Sequence, residues 1–283
     1  MRVPLYAVQH IRRMRGGSQA HLMRASDGAY YVTKFQNSPQ GVRILANEMF
    51  ATSLGLWLGL PMPPVAAIEV SNWLIANTPE LRIELADSQV PCSSGMQFGS
   101  RYPCDPATDP MDIFDYLPES LMARVNQGLS FARVLVLDKW LCNADGRQAI
   151  FVRKRRARNF RALFIDHGYC LNATEWSFPD TPLRGVYARN CVYEAVTGWE
   201  SFEPVLSRAE QADIVDIWRC AEQIVPEWYE HDRAGLERIV ETVYQRRQSI
   251  RSLIDAFRLS SRAPFPNWKE KEKVTAKVAS IVP

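Results

Sequence analysis

The chain changes character along its length. Short runs rich in β-branched and aromatic residues dominate its first third, whereas apolar positions recur at helical spacing over most of the remainder. Short apolar runs are typical of strands, and a recurrence every three to four residues is typical of amphipathic helices. The pattern predicts strands at residues 3–8, 30–35, 65–70, 73–76 and 82–85, and one long helix over residues 39–58.

The second part of the chain is predicted to be mainly helical. Two β-prone runs within it, residues 148–153 and 160–165, are separated by a polar link, which is typical of an antiparallel hairpin. The helices are expected at residues 117–126, 131–142, 189–197, 208–220 and 236–257.

A segment rich in Pro, Ser, Gly, Cys and Asp, residues 90–111, separates these two parts. Such a shift in composition indicates a connection between domains, with a cleft beside it. We therefore expect an α+β fold of two lobes: a small β-rich lobe with one long helix at residues 1–92, and a larger, mainly helical lobe at residues 93–262. The polar, charged residues 263–283 are predicted to form a mobile tail.

Two acidic residues flank the predicted hairpin. Asp145 precedes its first strand and Asp166 follows its second, so the chain reversal brings both carboxylates to one edge. Paired strands lie ~4.8 Å apart, which places the two acids within reach of one ion or substrate. Because two carboxylates repel each other unless a cation or a proton lies between them, Mg²⁺ carrying an anionic substrate is the natural occupant. The alternative interpretation is that each acid is merely solvated.

Two further charged residues lie where an unpaired charge would be costly. Lys34 is embedded in the aromatic strand 30–35, and Glu48 falls on or beside the apolar stripe of the long helix. We therefore expect these two side chains to pair with each other. Upstream, two glycines and a serine can bring backbone N–H groups close to phosphates, although this motif alone favours a plain hairpin turn.

Composition narrows the classes of function. The formal net charge of +3 at pH 7 favours neither a nucleic-acid partner nor a membrane surface. No apolar run approaches the ~18 residues of a membrane span, and no signal peptide is evident. The six cysteines form no Cys-x-x-Cys pair, which favours free thiols in a cytoplasmic protein. The basic run at residues 153–158 falls on the hairpin turn and is interpreted as solvated.

The order of these residues resembles the HipA-like kinases, a branch of the protein-kinase-like fold. Lys34 is similar to the strand lysine that meets the α- and β-phosphates, and Glu48 to the helix acid that orients it. Asp145, in Asn143-Ala144-Asp145, is similar to the acid that accepts the substrate hydroxyl proton, and Asp166 to the aspartate that binds Mg²⁺. The phosphate loop of the family resembles a run of four residues: Gly16, Gly17, Ser18 and Gln19.

The resemblance implies a specific activity. It implies an enzyme that uses ATP and Mg²⁺ to phosphorylate a hydroxyl group, with a protein Ser/Thr as the substrate and an antitoxin-like protein as a partner. Phosphoryl transfer depends mainly on positioning and charge neutralisation, so a lysine, a metal-binding acid and a base in this order suit it.

One departure from the family leaves alternatives open. The metal-binding Asn expected five residues after Asp145 is replaced by Ile150, and Gln148 is the candidate that takes its place as a metal ligand. Arg147 replaces the histidine of the catalytic loop and is expected to contact a phosphate or phosphorylated substrate. The alternatives are a catalytically silent pseudokinase that binds nucleotide or a partner, and a nucleotidyl transferase that binds ATP in the reverse orientation.

Overall fold

The computed structural model describes residues 5–126 and 128–269 of the chain. Its amino-terminal part comprises β1 (Leu5–Arg13), β2 (His21–Ala25), β3 (Tyr30–Lys34), α1 (Arg43–Trp57), β4 (Val65–Val70), α2 (Asn72–Ala76), β5 (Arg82–Glu84), β6 (Gln89–Pro91) and β7 (Gly95–Arg101). Five of these strands close a barrel in the order β1–β2–β3–β7–β4, and β5 and β6 form a separate antiparallel pair.

The barrel interior is a distinct apolar core. Met23, Tyr31, Phe35 and Ile68 are buried there, from strands whose side chains alternate between the two faces. The strands predicted at residues 30–35 and 65–70 are confirmed. Of the strand predicted at 3–8, residues 5–8 lie in β1, which extends as far as Arg13, and residues 3 and 4 lie outside the described residues.

Two segments in this part differ from what their sequence patterns indicated. Residues 73–76 lie in the short helix α2 instead of a strand, because the Ser71 hydroxyl accepts a hydrogen bond from the Leu74 N–H (3.1 Å) and caps a helix start. The segment 90–111, predicted to connect the two lobes, contains the strand β7, which pairs with both β3 and β4. This strand was not predicted because it contains Gly and Ser and lies in a segment whose composition is typical of loops.

The long helix α1 is buried almost all round. Residues from Ile44 to Gly55 are buried, and the helix packs against β4 and β7 on the barrel and against α4 and α6 of the carboxy-terminal part. Gly55 allows this close approach, since a Cβ atom there would lie 2.3 Å from the Met62 Sδ atom. The helix thereby joins the two parts of the molecule through one continuous core.

The carboxy-terminal part is mainly helical around a four-stranded sheet. The sheet has the order β8–β10–β11–β9, and its central β10–β11 pair is the predicted antiparallel hairpin, with Gln148 opposite Ile165. The elements are β8 (Met111–Phe114), α3 (Glu119–Met122), β9 (Val125–Asn126), α4 (Ser130–Trp140), β10 (Gln148–Lys154), β11 (Phe160–Ile165), α5 (Val205–Glu210), α6 (Ile214–Ala221), α7 (Arg233–Arg246) and α8 (Ile250–Arg258).

Several predicted helices are shorter or divided. The helix predicted at 208–220 is two helices, because Asp213 caps α6 by accepting the Val215 N–H (2.8 Å). The helix at 236–257 is divided by the 3₁₀ turn Arg247–Ser249, and the helix at 189–197 is only the 3₁₀ turn Asn190–Tyr193. Residues 117–126 form only the short α3 and the strand β9.

The division into lobes at residue 92 stays a prediction, although β7 indicates that the barrel side extends to Arg101. In the predicted tail, Phe265 is buried and stacks on Trp268, while residues 270–283 lie outside the described residues. All six cysteines are free thiols, as predicted. Among the described helices, none is both long and apolar enough to cross a membrane.

We predict that His21 makes stability pH-dependent. The ring is fully buried in the barrel, and burial, together with the charge of His10, lowers its pKa to about 4. Between pH ~6.5 and pH ~4 this histidine therefore binds a proton in the unfolded chain but not in the folded chain. The folded state consequently loses stability as pH falls below the ordinary histidine pKa of ~6.5. When the pH is lowered from 7.5 to 5, the free energy of unfolding measured in urea should fall by about 1–2 kcal/mol more in wild type than in His21→Gln.

The matched control is His231→Gln, which replaces an exposed histidine. This variant should keep the pH dependence of wild type. An identical pH dependence in wild type and His21→Gln would contradict the prediction.

Candidate active site

A cleft of about 990 Å³ lies between the barrel and the β10–β11 hairpin. The barrel contributes the β1–β2 turn and residues of β3 and β7, and the hairpin contributes its open end. Val32, Phe98, Ile150 and Phe164 give it apolar walls, and Lys34 and Asp166 provide charge. A mainly apolar cavity with a few convergent charged groups is typical of a small-molecule site.

Three charged groups meet at the inner end of the cleft. The Lys34 Nζ atom donates hydrogen bonds to Glu48 and to Asp166, the latter at 2.8 Å. Lys34 and Glu48 are almost completely buried, whereas about a quarter of the Asp166 side chain is exposed to the cleft. The predicted pairing of Lys34 with Glu48 is confirmed, and it is extended by a third member from the end of β11.

The electrostatics of this cluster favour a further cation. Burial lowers the pKa of Lys34, but the charges of Glu48 and Asp166 outweigh this effect, so the pKa lies above its ordinary value. Burial raises the pKa of Asp166, but the Lys34 charge lowers it below its ordinary value. Burial also raises the pKa of Glu48, and the Lys34 charge offsets only part of the rise. With all three groups ionised, the cluster carries one excess negative charge.

The backbone after β11 is held by α1. Asp166 has a left-handed φ of +60°, and the next N–H, that of His167, donates to the Glu48 Oε2 atom at 3.0 Å. The Asn47 amide then donates to three carbonyl oxygens, those of Gly168, Cys170 and Ala173, at 2.8–2.9 Å. Adjacent residues of α1 thus fix the direction in which Asp166 leaves its strand.

Asp145 lies in a rigid loop between α4 and β10. Its N–H donates to the Asn143 Oδ1 atom (3.1 Å), and its own Oδ1 atom accepts the Gly146 N–H (2.7 Å). The residue is exposed and lines a second cavity of about 350 Å³. This cavity shares Ser18, Gln148 and Asp166 with the cleft, and we refer to it as the mouth of the cleft. The hairpin therefore brings the two predicted acids to one edge.

The expected role of Arg147 as a phosphate contact is not supported. Its guanidinium is buried and forms a two-point contact with the buried Asp138, with Nε at 2.9 Å from Oδ2. Its Nη1 atom donates to the Ile165 carbonyl oxygen at 2.8 Å, and Asp138 also accepts the Asn143 amide at 2.9 Å. Arg147 fastens the loop of Asp145 to the strand that ends at Asp166, because a buried guanidinium requires a fixed anion.

The glycine turn is only partly in the cleft. Gly16, Gly17 and Ser18 line it, and Gly16 has a φ of +117°, which favours glycine. The Gln19 side chain is engaged elsewhere, since its amide exchanges two hydrogen bonds with the Glu84 backbone (2.7 and 2.8 Å). The structure thus places three of the four predicted loop residues at the cleft.

The position of the missing asparagine is apolar. Ile150 lines the cleft and packs with Val152 and Leu163. Gln148, two residues earlier, is exposed and lies opposite Ile165 in the hairpin, which brings it beside the strand end that carries Asp166. The position of Gln148 is therefore compatible with a metal ligand at that edge.

Sequence reasoning missed the residues that support the site. Asp138 lies on the apolar stripe of α4, and Asn47 lies on the buried helix α1. A polar residue on an apolar stripe was the signal that identified Glu48, and it applies equally to both of these. His167 is also buried, but neither ring nitrogen has a hydrogen-bond partner within the described chain. Burial keeps the pKa of this imidazole well below its ordinary value.

Comparison with solved structures identifies the class of fold. A Golgi casein kinase matches with a TM-score of 0.53 and 11% identity, covering 91% of this chain and 75% of that chain. A Golgi casein kinase with Mn/ADP bound matches with a TM-score of 0.50 and 12% identity, covering 89% of this chain and 73% of that chain. The Helicobacter pylori proinflammatory kinase CtkA matches with a TM-score of 0.50 and 13% identity, covering 85% of this chain and 94% of that chain. The fold is thus the α+β protein-kinase-like fold, as predicted.

The family follows from the sequence itself. A family model described as HipA-like kinase matches residues 8–252, which is most of the chain. The protein therefore belongs to the HipA-like kinase family and is a phosphotransferase. No curated protein matches the chain.

We predict that breaking the Asp138–Arg147 pair destabilises the protein strongly. Arg147→Met leaves the Asp138 carboxylate buried without its cation, and the free energy of unfolding should fall by about 3–5 kcal/mol. The measurement is urea unfolding at pH 7. The control is Arg219→Met, which removes an exposed pair with Asp216 on α6 and should cost less than about 1 kcal/mol. Equal losses in the two variants would show that the buried pair has no special role.

Proposed function

We propose that this kinase transfers the γ-phosphate of ATP to a hydroxyl group, with Mg²⁺ as the metal. The observation that carries the proposal is the convergence of Lys34 and Asp166, which are 2.8 Å apart, on the cleft whose mouth Asp145 lines. Phosphoryl transfer requires a cation for the phosphates, an acid for the metal and a base at the nucleophile. These three residues supply all of them at one edge of the hairpin.

The donor groups fit a magnesium–nucleotide complex. Among residues 5–126 and 128–269, no three His, Cys, Asp or Glu side chains converge as a preformed metal site. Mg²⁺ commonly uses one or two carboxylates together with phosphate oxygens, and it neutralises the charge that develops on the transferred group. Asp166, supported by the Gln148 amide, would hold it, and the excess negative charge of the Lys34 cluster favours this. A Golgi casein kinase of the same fold has been solved with Mn/ADP bound.

The remaining residues have separate roles in binding and proton transfer. The turn of Gly16, Gly17 and Ser18 covers the phosphates, and Lys34, oriented by Glu48, neutralises them. The apolar walls of the cleft accept the base. Asp145, exposed at the mouth, accepts the proton of the attacking hydroxyl, a step that typically contributes ~10²–10⁴-fold to the rate.

The substrate is proposed to be a protein Ser/Thr in the cytoplasm. The open mouth of the cleft, where the Asp145 carboxylate is exposed, supports a substrate that approaches from outside. The antitoxin-like partner implied by the family resemblance stays a prediction.

One observation favours a second function. Ile150 places an apolar side chain where the family has a metal ligand, so a pseudokinase that retains nucleotide binding is the alternative. Gln148→Ala distinguishes the two, since it should weaken both the rate and the Mg²⁺ dependence of an active kinase. Gln245→Ala, an exposed glutamine on α7, is the matched control.

The test of the proposed function is transfer of labelled phosphate. Wild type with γ-³²P-ATP and Mg²⁺ should label itself or a protein substrate, and Asp145→Asn should slow this by ~10²–10⁴-fold because it removes the base. ATP affinity measured by calorimetry should be nearly unchanged in Asp145→Asn and strongly reduced in Asp166→Asn.

Each other outcome has a defined meaning. Transfer of an α-³²P label would replace the proposal with nucleotidyl transfer. ATP binding without any label transfer would establish the pseudokinase. Equal transfer rates in wild type and Asp145→Asn would remove Asp145 from the mechanism.

A further inference from the structure

A third cavity lies on the other side of the segment that joins the barrel to the carboxy-terminal part. It has a volume of about 590 Å³ and shares Pro63, Arg101, Tyr102 and Pro103 with the wall of the active-site cleft. The segment Gly59–Pro64 forms one side, and α4 and β11 form the other. Two backbone hydrogen bonds fix this segment to the strands beside it. The Phe164 N–H of β11 donates to the Pro61 carbonyl (2.9 Å), and the Arg101 N–H of β7 donates to the Pro64 carbonyl (2.8 Å).

The charges lining this cavity all have the same sign. Arg101 from β7, Arg133 from α4 and Arg161 from β11 face it, and no Asp or Glu is among the described residues that line it. None of the three arginines forms an ion pair within residues 5–126 and 128–269. Like charges around one cavity repel each other, so an anion is the occupant that the electrostatics favour.

Two buried polar groups at the cavity lack partners. Ser130 is 97% buried and lines the cavity, and its hydroxyl has no hydrogen-bond partner in the described chain. The Arg133 Nε atom is buried and equally unpartnered. A buried polar group without a partner is costly, which indicates that a ligand supplies the missing acceptor.

The helix α4 adds a third favourable feature. Ser130 is its first residue, and no side chain caps its N-terminus. The unpaired N–H groups and the dipole at a helix start stabilise negative charge. The helix start, the serine and the three arginines therefore favour the same kind of ligand.

We propose that this arginine cavity binds a phosphate-bearing anion. Guanidinium groups bind phosphate oxygens through paired N–H donors. Several arginines around one cavity match the charge of a phosphate dianion better than that of a singly charged carboxylate ligand. The volume lies within the ~300–1,000 Å³ range of small-molecule sites and exceeds what inorganic phosphate needs, so it admits a phosphomonoester with part of its carrier. This site is independent of the proposed phosphoryl transfer, because none of Lys34, Asp145 and Asp166 lines it.

The test is binding of ³²P-labelled inorganic phosphate to the full chain by equilibrium dialysis, with chloride added to hold ionic strength constant. Arg133→Ala and Arg161→Ala should each weaken binding by about tenfold or more, as expected for a lost charge-assisted contact. Arg158→Ala removes the same charge from the exposed hairpin turn and should leave binding unchanged. Phosphate held at Lys34 in the active-site cleft would survive both cavity variants, so the two sites are separable.

Comparable thermal unfolding midpoints without phosphate would show that the variants fold. Should Arg133→Ala fail to fold, Arg161→Ala provides the same test from an exposed position. Absence of phosphate binding at millimolar concentration, or equal affinity in wild type and both cavity variants, would overturn the proposal.

A second arm of the experiment identifies the source of the phosphate. A phosphoserine peptide that binds more tightly than inorganic phosphate, and depends on Arg133 and Arg161, would assign the site to a protein-borne phosphate. Equal affinities with the same dependence would assign it to a small free anion. Peptide binding that is independent of both arginines would contradict the proposal.

Discussion

The Lys34 ammonium group lies between two carboxylates that come from different parts of the chain, Glu48 on α1 and Asp166 at the end of β11. A buried ammonium is tolerated only with such partners, and breaking a buried pair typically costs ~3–5 kcal/mol. The barrel, the long helix and the hairpin must therefore adopt one relative arrangement. The same arrangement leaves one excess negative charge facing the cleft. The cluster that holds the fold together therefore also favours binding of a cation there.

Two further polar networks keep the third member of this cluster in place. Arg147 ties the Asp145 loop and the end of β11 to the buried Asp138, and Asn47 binds three carbonyl oxygens in the segment after Asp166. Both networks are rigid because their groups are buried and well partnered. Pre-organisation of this kind suits phosphoryl transfer, in which the protein mainly positions charges.

How much of this was predictable depended on whether a residue broke its local pattern. Glu48 on an apolar stripe and Lys34 in an aromatic strand were visible as anomalies, and the hairpin period placed Asp145 and Asp166 at one edge. The strand β7 was hidden by a loop-like composition, and α2 depended on the Ser71 cap. The role of Arg147 and the arginine cavity could not be predicted, because each depends on residues brought together only by the tertiary fold.

The most direct test of the proposed site is a crystal structure with Mg²⁺ and a non-hydrolysable ATP analogue. In that structure the Lys34 Nζ atom should lie within ~3.2 Å of an α- or β-phosphate oxygen, a hydrogen-bond distance, while it still contacts Glu48. Mg²⁺ should lie at ~2.1 Å from an Asp166 oxygen, with the γ-phosphate directed toward Asp145. A nucleotide bound away from Lys34, or a metal without Asp166 among its ligands, would contradict the proposed roles.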